Sequence, residues 1–346
     1  MGIKLLHKFL RKHAPEIYKD ISLSDFSGKT ISIDVSVYLY KYKSINKDRW
    51  LTAFSNMIFT LRKHKINCVF IYDTKAPIEK NVKKEERKTR KRNAEKRSND
   101  IKASLKIYDE TGEADHLLLS ITEKRSNGIK KLLKMEETDI DREAIQDELM
   151  YLDNQVVNVS RHEIEMSKEL LKSLNVPFFD SENEAETLCA HLCCKNKVDA
   201  VLSDDTDVLV YGTETFLTKL NLQNDTCTII YHADVMKALN LTSAQFIDFC
   251  IMCGTDYNKN MHRVGSEKSY KLIQKHITLE TIEENCKDLD TSILNYKRIR
   301  EIFSVPDSIP DYNLENGEVD VEQFCSFAQR HGIPNQFQLS RNKRLL

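Results

Sequence analysis

The chain has 346 residues, of which 40% are hydrophobic and 30% charged, enough apolar material for one large buried core or two smaller ones. Its formal net charge is −1, so the overall balance implies no polyanionic partner, and no apolar run is long enough to span a membrane. The opening MGIKLLHKFLRKH lacks a signal-peptide core, and Leu6 stands where a myristoylation pattern wants Ser or Thr.

Nine cysteines, an odd number scattered through apolar patterns, read as reduced core thiols of an intracellular, non-secreted protein. Cys250-Ile-Met-Cys253 has no second C-x-x-C to complete a zinc site. Residues 3–13 read as a short helix with Leu5, Leu6, Phe9 and Leu10 on its apolar side. Thr30 to Asp34 is a β-branched strand that stops at an acid, and a Tyr-rich helix follows over 35–43. Trp50, Leu51, Phe54, Met57, Ile58 and Leu61 mark an amphipathic helix. Cys68 to Asp73 is a second apolar strand ending in an acid.

Residues 80–97 are the charge anomaly, with ten Lys or Arg against three Glu. A solvated helix face or a nuclear import signal accounts for such a run. A phosphate-binding stripe is the stronger reading, because the run follows directly on the Asp73 strand end. Lys80 and Arg87 are seven apart, so on a helix they share one face. Residues 98–158 are polar, with short amphipathic pieces near 117–121, 129–135 and 144–152, and read as a helical insertion outside the sheet. A helix over 162–174 leads to a short strand at Val176 to Phe179.

The stretch SENEAETLCAHLCCKNKVDAVLSDDTD, residues 181–207, organises the rest. Ala185, Leu188, Cys189, Leu192 and Cys193 give a helix, and Ala200-Val201-Leu202 a buried strand. Glu182, Glu184 and Glu186 stand at the helix start, and Asp204, Asp205 and Asp207 follow the strand. At strand spacing Asp205 and Asp207 point the same way. Ser181 with Glu184 also fits a capping box, Glu186 a dipole partner, and Asp204-Asp205 a turn. Against these readings, three buried strands end in aspartate in a β/α alternation, which predicts a mostly parallel sheet with acids converging at one edge. Converging carboxylates repel unless a hard cation such as Mg²⁺ lies between them. Beyond Asp207, VLVYGTETFLTKL and CTIIYHA read as two further strands. A helix over 246–253 reaches Gly254-Thr255-Asp256-Tyr257, and HRVGSEKSYKLIQKH turns into a basic helix whose start suits a phosphate.

Together these pieces resemble the structure-specific 5′ nucleases, the flap endonuclease-like family. Met1-Gly2-Ile3 is similar to that family's N-terminus, and Ile33-Asp34-Val35-Ser36 with Tyr40 to its first acidic strand and helix. Tyr72-Asp73-Thr74-Lys75-Ala76-Pro77 resembles its Asp-Gly-Lys-x-Pro element, with Thr74 replacing Gly. Ser181 to Glu186, Asp204 to Asp207 and Gly254-Thr255-Asp256-Tyr257 resemble its remaining acidic motifs. The resemblance covers residues 1–97 and about 155–285. It implies an α/β, PIN-like 5′ nuclease fold, with a central mostly parallel β-sheet flanked by helices, a helical arch insertion and a helix–two-turn–helix element. The implied segments are a single nuclease domain of a nuclease region 1–75, a basic arch 76–158, an internal nuclease region 159–255, the helix–two-turn–helix 256–282, and a C-terminal extension 283–346.

The resemblance further implies Mg²⁺-dependent two-metal phosphodiester hydrolysis of DNA flaps in replication or repair, with Mn²⁺ able to substitute. The implied metal ligands are Asp34, Asp73, Glu184, Glu186, Asp205, Asp207 and Asp256. Lys80 and Arg87 are implied at the scissile phosphate, and Tyr40 on the neighbouring base. Gly2, Lys83, Lys84, Lys91, Arg92, Gly265, Ser266 and Lys268 are implied DNA contacts, with K⁺ at the helix–two-turn–helix. The implied partner is DNA with a 5′ flap, nick or single-strand/duplex junction, at the nucleus or another site of replication, and no membrane. A 5′→3′ exonuclease, a bubble- or junction-cutting relative, or a silent nucleic-acid-binding protein are the alternatives, and RNA remains open as substrate. Three departures stand out. Arg263 replaces a usual Gly, Glu267 a usually basic residue, and Gln336-Phe337-Gln338-Leu339 lacks the paired aromatics of a sliding-clamp motif.

Overall fold

The computed structural model describes residues 2–3, 5–126 and 140–334. Met1, the amphipathic piece at 129–135 and the motif at 336–339 lie outside the described residues. Contacts divide the chain into two compact units, residues 1–80 with 159–346, and Asn81–Asn158.

The first unit is built on a seven-stranded sheet. It opens with α1 (Leu6–His13), β1 (Lys19–Ser22), β2 (Thr30–Asp34), α2 (Val35–Asn46), α3 (Trp50–Lys63) and β3 (Asn67–Tyr72). In the second unit come α4 (Asn81–Thr111), α5 (His116–Ser126) and α6 (Arg142–Val156). The first unit resumes with α7 (Arg161–Ser173), β4 (Phe178–Asp180), α8 (Ala185–Cys194), β5 (Ala200–Leu202), α9 (Asp207–Val210), β6 (Thr215–Asn221) and β7 (Thr226–Tyr231). It closes with α10 (His232–Leu239), α11 (Ser243–Cys253), α12 (Ser266–His276), α13 (Leu279–Asn285), α14 (Tyr296–Ile302) and α15 (Val321–Arg330).

The strand order is β1-β7-β6-β5-β2-β3-β4. From β6 to β4 every pairing is parallel, and β7 pairs antiparallel with both β6 and β1. The central strands β2, β3 and β5 are buried on both faces, which explains their mostly apolar runs. Alternation sends successive side chains to opposite cores. Val69, Ile71 and Val201 join α1, α8 and α11 on one side. Ile31, Ile33, Cys68, Phe70 and Leu202 join α2, α3, α7 and α15 on the other. Asp34 registers with Ile71, and Ile33 with Leu202, so β2, β3 and β5 finish at one edge.

One local expectation changes, and one strand is unforeseen. The strand expected directly after Asp207 is instead the short helix α9, and the strand begins at Thr215. Val208, Leu209 and Val210 are all buried, which a single helical turn achieves as well as a strand, and Gly212 at φ +80° redirects the chain into β6. Asp205 and Asp207 therefore share a site from a loop and a helix start, not from strand alternation. The polar Lys19-Asp-Ile-Ser22 carries no period-two signal, and its pairing with β7 is what makes it a strand.

In the second unit α4, α5 and α6 enclose a small core of Ala94, Ile101, Leu118, Ile121, Ile140, Ala144, Ile145 and Leu152. The 31-residue α4 buries only Ala94, Ser98 and Ile101, so its basic first half, 81–93, contributes nothing to that core.

Candidate metal centre

At the common edge of β2, β3 and β5 the sequence places carboxylates, and each is fixed by a different local device. Asp34 ends β2 and caps α2, accepting from the Val37 N–H at 3.5 Å and from Ser203 Oγ at 3.2 Å. Asp73 follows β3 and accepts from the Ala185 N–H at 2.6 Å and from the Ser36 hydroxyl. The cap of α8 thus comes from Asp73, 112 residues away in sequence, and not from Ser181. Ser181 Oγ instead donates to the Glu184 backbone carbonyl at 3.0 Å, so the capping box is not formed. The Glu184 and Glu186 side chains are left to enter the site at a helix N-terminus, whose dipole favours them.

Glu186, Asp205 and Asp207 offer carboxylate oxygens that all lie within 4.8 Å of one another, and all three residues are buried. Lys80, itself 7% exposed, reaches into the group. Its ammonium donates to Glu184 and lies 3.8 Å from Glu186 and 3.4 Å from Asp256. Glu182, by contrast, is exposed. Asp204 is consumed by Lys41 at 2.8 Å, Thr218 Oγ1 at 2.9 Å and the Lys219 N–H at 2.9 Å.

The electrostatics show one interacting set. Burial, then Asp73 and Asp205, push the Asp34 carboxyl up to about 8. Burial followed by Glu184 raises Glu186, and burial followed by Asp205 and Asp256 raises Asp207, both well above the usual carboxylate range. Burial acting alone would lower the Lys80 ammonium, but Glu186, Glu184 and Asp256 outweigh it and hold Lys80 above its ordinary value. Among the described residues, neither carboxylate oxygen of the fully buried Asp207 has a hydrogen-bond partner. A buried ionised group without partners is costly unless a cation meets it. The donor set is all oxygen, which suits a hard divalent ion. These residues fit a metal.

Gly2 lies at φ +81° against this loop. A Cβ there would overlap Asp205 Oδ1 and stand 2.7 Å from Asp207 Oδ1, so only glycine fits. The Ile3 N–H bonds Thr206 Oγ1 at 3.1 Å and pins the N-terminus there.

Sequence reasoning missed the groups that orient the acids. Ser203 bonds Asp34 and also accepts from the Asp205 N–H at 3.1 Å, while Ser36 holds Asp73. Ser203 lies two residues from Asp205, a spacing that could have linked them, whereas Ser36 sits in α2 and meets Asp73 only through tertiary packing. Tyr257, quoted only as part of a motif, donates to Glu184 Oε2 at 2.7 Å, and the Lys80 ammonium sits 5.8 Å from its ring centroid. The neighbouring Tyr211 hydroxyl lies 2.8 Å from Thr187 Oγ1. Tyr257→Phe keeps the ring and removes the donor to Glu184. Manganese affinity, read by titration, is expected to fall roughly 10-fold or more, the scale for an outer partner of a ligand. An unchanged affinity would show that Tyr257 does not set the Glu184 orientation.

The other sequence-derived residues fall into two groups. Tyr40 is exposed on α2, Gly265 is the N-cap of α12, and Ser266 and Lys268 lie in its first turn. Lys83, Lys84, Arg87, Lys91 and Arg92 lie on the first half of α4, in the second unit. Arg263 adopts φ 57°, the left-handed region where glycine costs least, so the replaced glycine leaves a strained position. Cys250 and Cys253 are buried thiols inside α11, and no described helix is long and apolar enough to cross a membrane.

Comparison with known proteins agrees with this geometry. Residues 1–96 match the XPG N-terminal domain and 175–256 the XPG I-region. The chain is 35% identical over 336 residues to a probable RAD2-like endonuclease of Invertebrate iridescent virus 3, a match covering 89% of this chain and 87% of the relative. It is 30% identical over 351 residues to flap endonuclease 1 of Candida tropicalis, covering 94% and 83%. The fold superposes on the catalytic core of Rad2 in complex with DNA substrate with a TM-score of 0.67, at 16% identity and over 100% of both chains. It superposes on flap endonuclease-1 from Methanococcus jannaschii with a TM-score of 0.62, at 21% identity and over 95% of both. An acid-lined sheet edge, both XPG regions in order and near-full-length relatives place the chain in one family: it belongs to the XPG family of RAD2-like, flap endonuclease-like metal-dependent 5′ nucleases.

Proposed function

We propose that the chain hydrolyses DNA phosphodiesters at 5′ flaps and other single-strand/duplex junctions, using Mg²⁺, with Mn²⁺ as a substitute. The observation that carries this reading is the orphaned carboxylate of Asp207 beside Glu186 and Asp205. Those three acids, with Asp34, Asp73, Glu184 and Asp256, would hold two divalent ions, some through water. Bound there, such ions supply an activated water and neutralise the charge of an approaching phosphate.

The protein's own groups do the rest. Lys80 leaves Glu184 for the scissile phosphate, and Arg87 joins it from the basic arch formed by residues 76–158. Lys83, Lys84, Lys91 and Arg92 contact flanking phosphates, and Tyr40 stacks on the base beside the cut. Gly2 lets the N-terminus approach the junction. Gly265, Ser266 and Lys268 of the helix–two-turn–helix 256–282 bind the duplex backbone at a helix N-terminus. Arg263 stands in the turn that would carry K⁺, so duplex binding is expected to depend little on the choice of K⁺ over Na⁺. The protein would work in the nucleus or another site of DNA replication.

A labelled panel of flap, nicked duplex, bubble, four-way junction and single-stranded RNA, with Mg²⁺ and with EDTA, tests the reading. Cleavage one or a few nucleotides from the flap junction, lost in EDTA, is expected. Cutting restricted to duplex 5′ ends, or to bubbles or four-way junctions, would move the function to the exonuclease or junction-cutting alternative. Binding without any cleavage would make it a silent nucleic-acid-binding protein.

A further inference from the structure

The basic face of α1 was not assigned a role by its motifs, and it meets α12 at one residue. Leu6, Phe9 and Leu10 bury one side of α1. Lys8, Arg11 and Lys12, at i, i+3 and i+4, are exposed on another. The helix is held against α12 by aromatic contacts, Phe9 to Tyr270 at 5.3 Å and His13 to Tyr270 at 5.9 Å between ring centroids. On α12 the exposed cations Lys268, Lys271 and Lys275 follow Glu267, at i+1, i+4 and i+8.

Glu267 is the acid that should be unwelcome at a phosphate-binding helix start. It accepts from Lys12 Nζ at 2.6 Å, and His13 Nε2 lies 3.0 Å from it. These groups are exposed, with side-chain accessibilities of 66% for Lys12 and 48% for Glu267, so the pairing adds little stability. What it changes is the charge pattern. The negative charge at the start of α12 is matched by Lys12, which is drawn up beside that helix.

We propose that α1 and α12 form one continuous phosphate-contact surface for duplex nucleic acid, with Lys8, Arg11 and Lys12 extending the strip begun by Lys268 and Lys271. This rests on the duplex-binding role given above to α12, and widens it to an element outside the helix–two-turn–helix. Arg11 is also braced, its guanidinium 4.8 Å from the Tyr18 ring centroid, which holds its stem on the α1 surface.

The test is a salt titration of duplex binding, with Ca²⁺ in place of Mg²⁺ to prevent cleavage. The probe is a fluorescent junction DNA carrying a long duplex arm. Each lost phosphate contact flattens the log–log slope by about 0.9. Lys8→Ala with Arg11→Ala is expected to flatten it by nearly two such steps and to weaken binding roughly tenfold or more at about 0.15 M salt. Lys268→Ala should flatten it by one. Glu267→Gln, which removes the acid and keeps its size, should tighten binding. A Lys8/Arg11 variant with wild-type slope and affinity, beside a Lys268 variant that loses a contact, would confine duplex binding to α12 and overturn the proposal. Wild-type protein that binds no duplex at all would instead overturn the function on which it rests.

Discussion

Replacing Asp207 by Asn is expected to slow cleavage severely and, in the same protein without metal, to raise the melting temperature. Both effects have one cause. The Asp207 carboxylate is fully buried, has no hydrogen-bond partner among the described residues, and lies near Asp205 and Asp256. Ionised and without a metal it destabilises the fold; with a metal it is a ligand. The substitution removes the charge with little change in volume. Cleavage should drop at least about a hundredfold, the scale for loss of one preorganised electrostatic group. Metal-free stability should rise by on the order of 1 kcal/mol or more, because an uncompensated buried charge is gone.

The pH dependence follows from the direction of the shifts. A carboxyl raised on folding keeps its proton longer in the folded than in the unfolded state. Between the unfolded value near 4 and the folded value, stability therefore falls as pH rises. For Asp34 that window closes at about 8, and Glu186 and Asp207, also raised, add in the same direction. Metal-free wild-type protein should lose melting temperature from pH 5 to pH 8, and Asp207→Asn should lose less. Saturating Mn²⁺ should reverse the ranking, since an ion at a hundred times its dissociation constant adds about 2.7 kcal/mol to the form that binds it. Melting curves of both proteins at several pH values, with EDTA and with Mn²⁺, read all of this. A variant less stable than wild type in EDTA at pH 8 would show that Asp207 is satisfied by the protein alone.

The sheet and the acids were legible in the sequence because their signals are short-range. Ile31, Ile33, Val69, Ile71 and Val201 belong to apolar runs that only doubly covered strands sustain, and the acids stand where those runs stop. What was hidden depends on contacts between distant segments. Nothing near Asp73 announces that it caps α8, and nothing in Ser181-x-x-Glu184 shows that its capping box goes unused. Val208 to Val210 are apolar and short, a pattern that strand and helical turn share until tertiary packing chooses. β1 is a strand only by virtue of β7. The α1 cations looked like part of an ordinary amphipathic helix until Glu267, more than 250 residues later, was seen beside Lys12. Lys80 was read as the first cation of a phosphate-binding stripe, and nothing in the run itself shows that it is the one buried among the acids.

That burial makes Lys80→Ala the opposite of Asp207→Asn. Lys80 contacts Glu184, Glu186 and Asp256 and is 7% exposed, so removing it leaves buried acids without their counter-charge. Breaking a buried pair from one side costs about 3–5 kcal/mol, and in EDTA the melting temperature should fall accordingly. Bound divalent ions would take over the neutralising role, so Mn²⁺ should recover most of that loss. Cleavage should not recover. If Lys80 turns to the phosphate during the reaction, its charge interacts more strongly with the transition state than with bound substrate. Single-turnover cleavage in saturating metal should then fall by about a hundredfold or more, while affinity for junction DNA in Ca²⁺ changes only severalfold. Lys80→Met, which keeps most of the apolar stem and removes the charge, should show the same loss of rate with a smaller loss of stability. A variant whose rate and melting temperature are both restored by metal would assign Lys80 to the fold of the metal-free site alone.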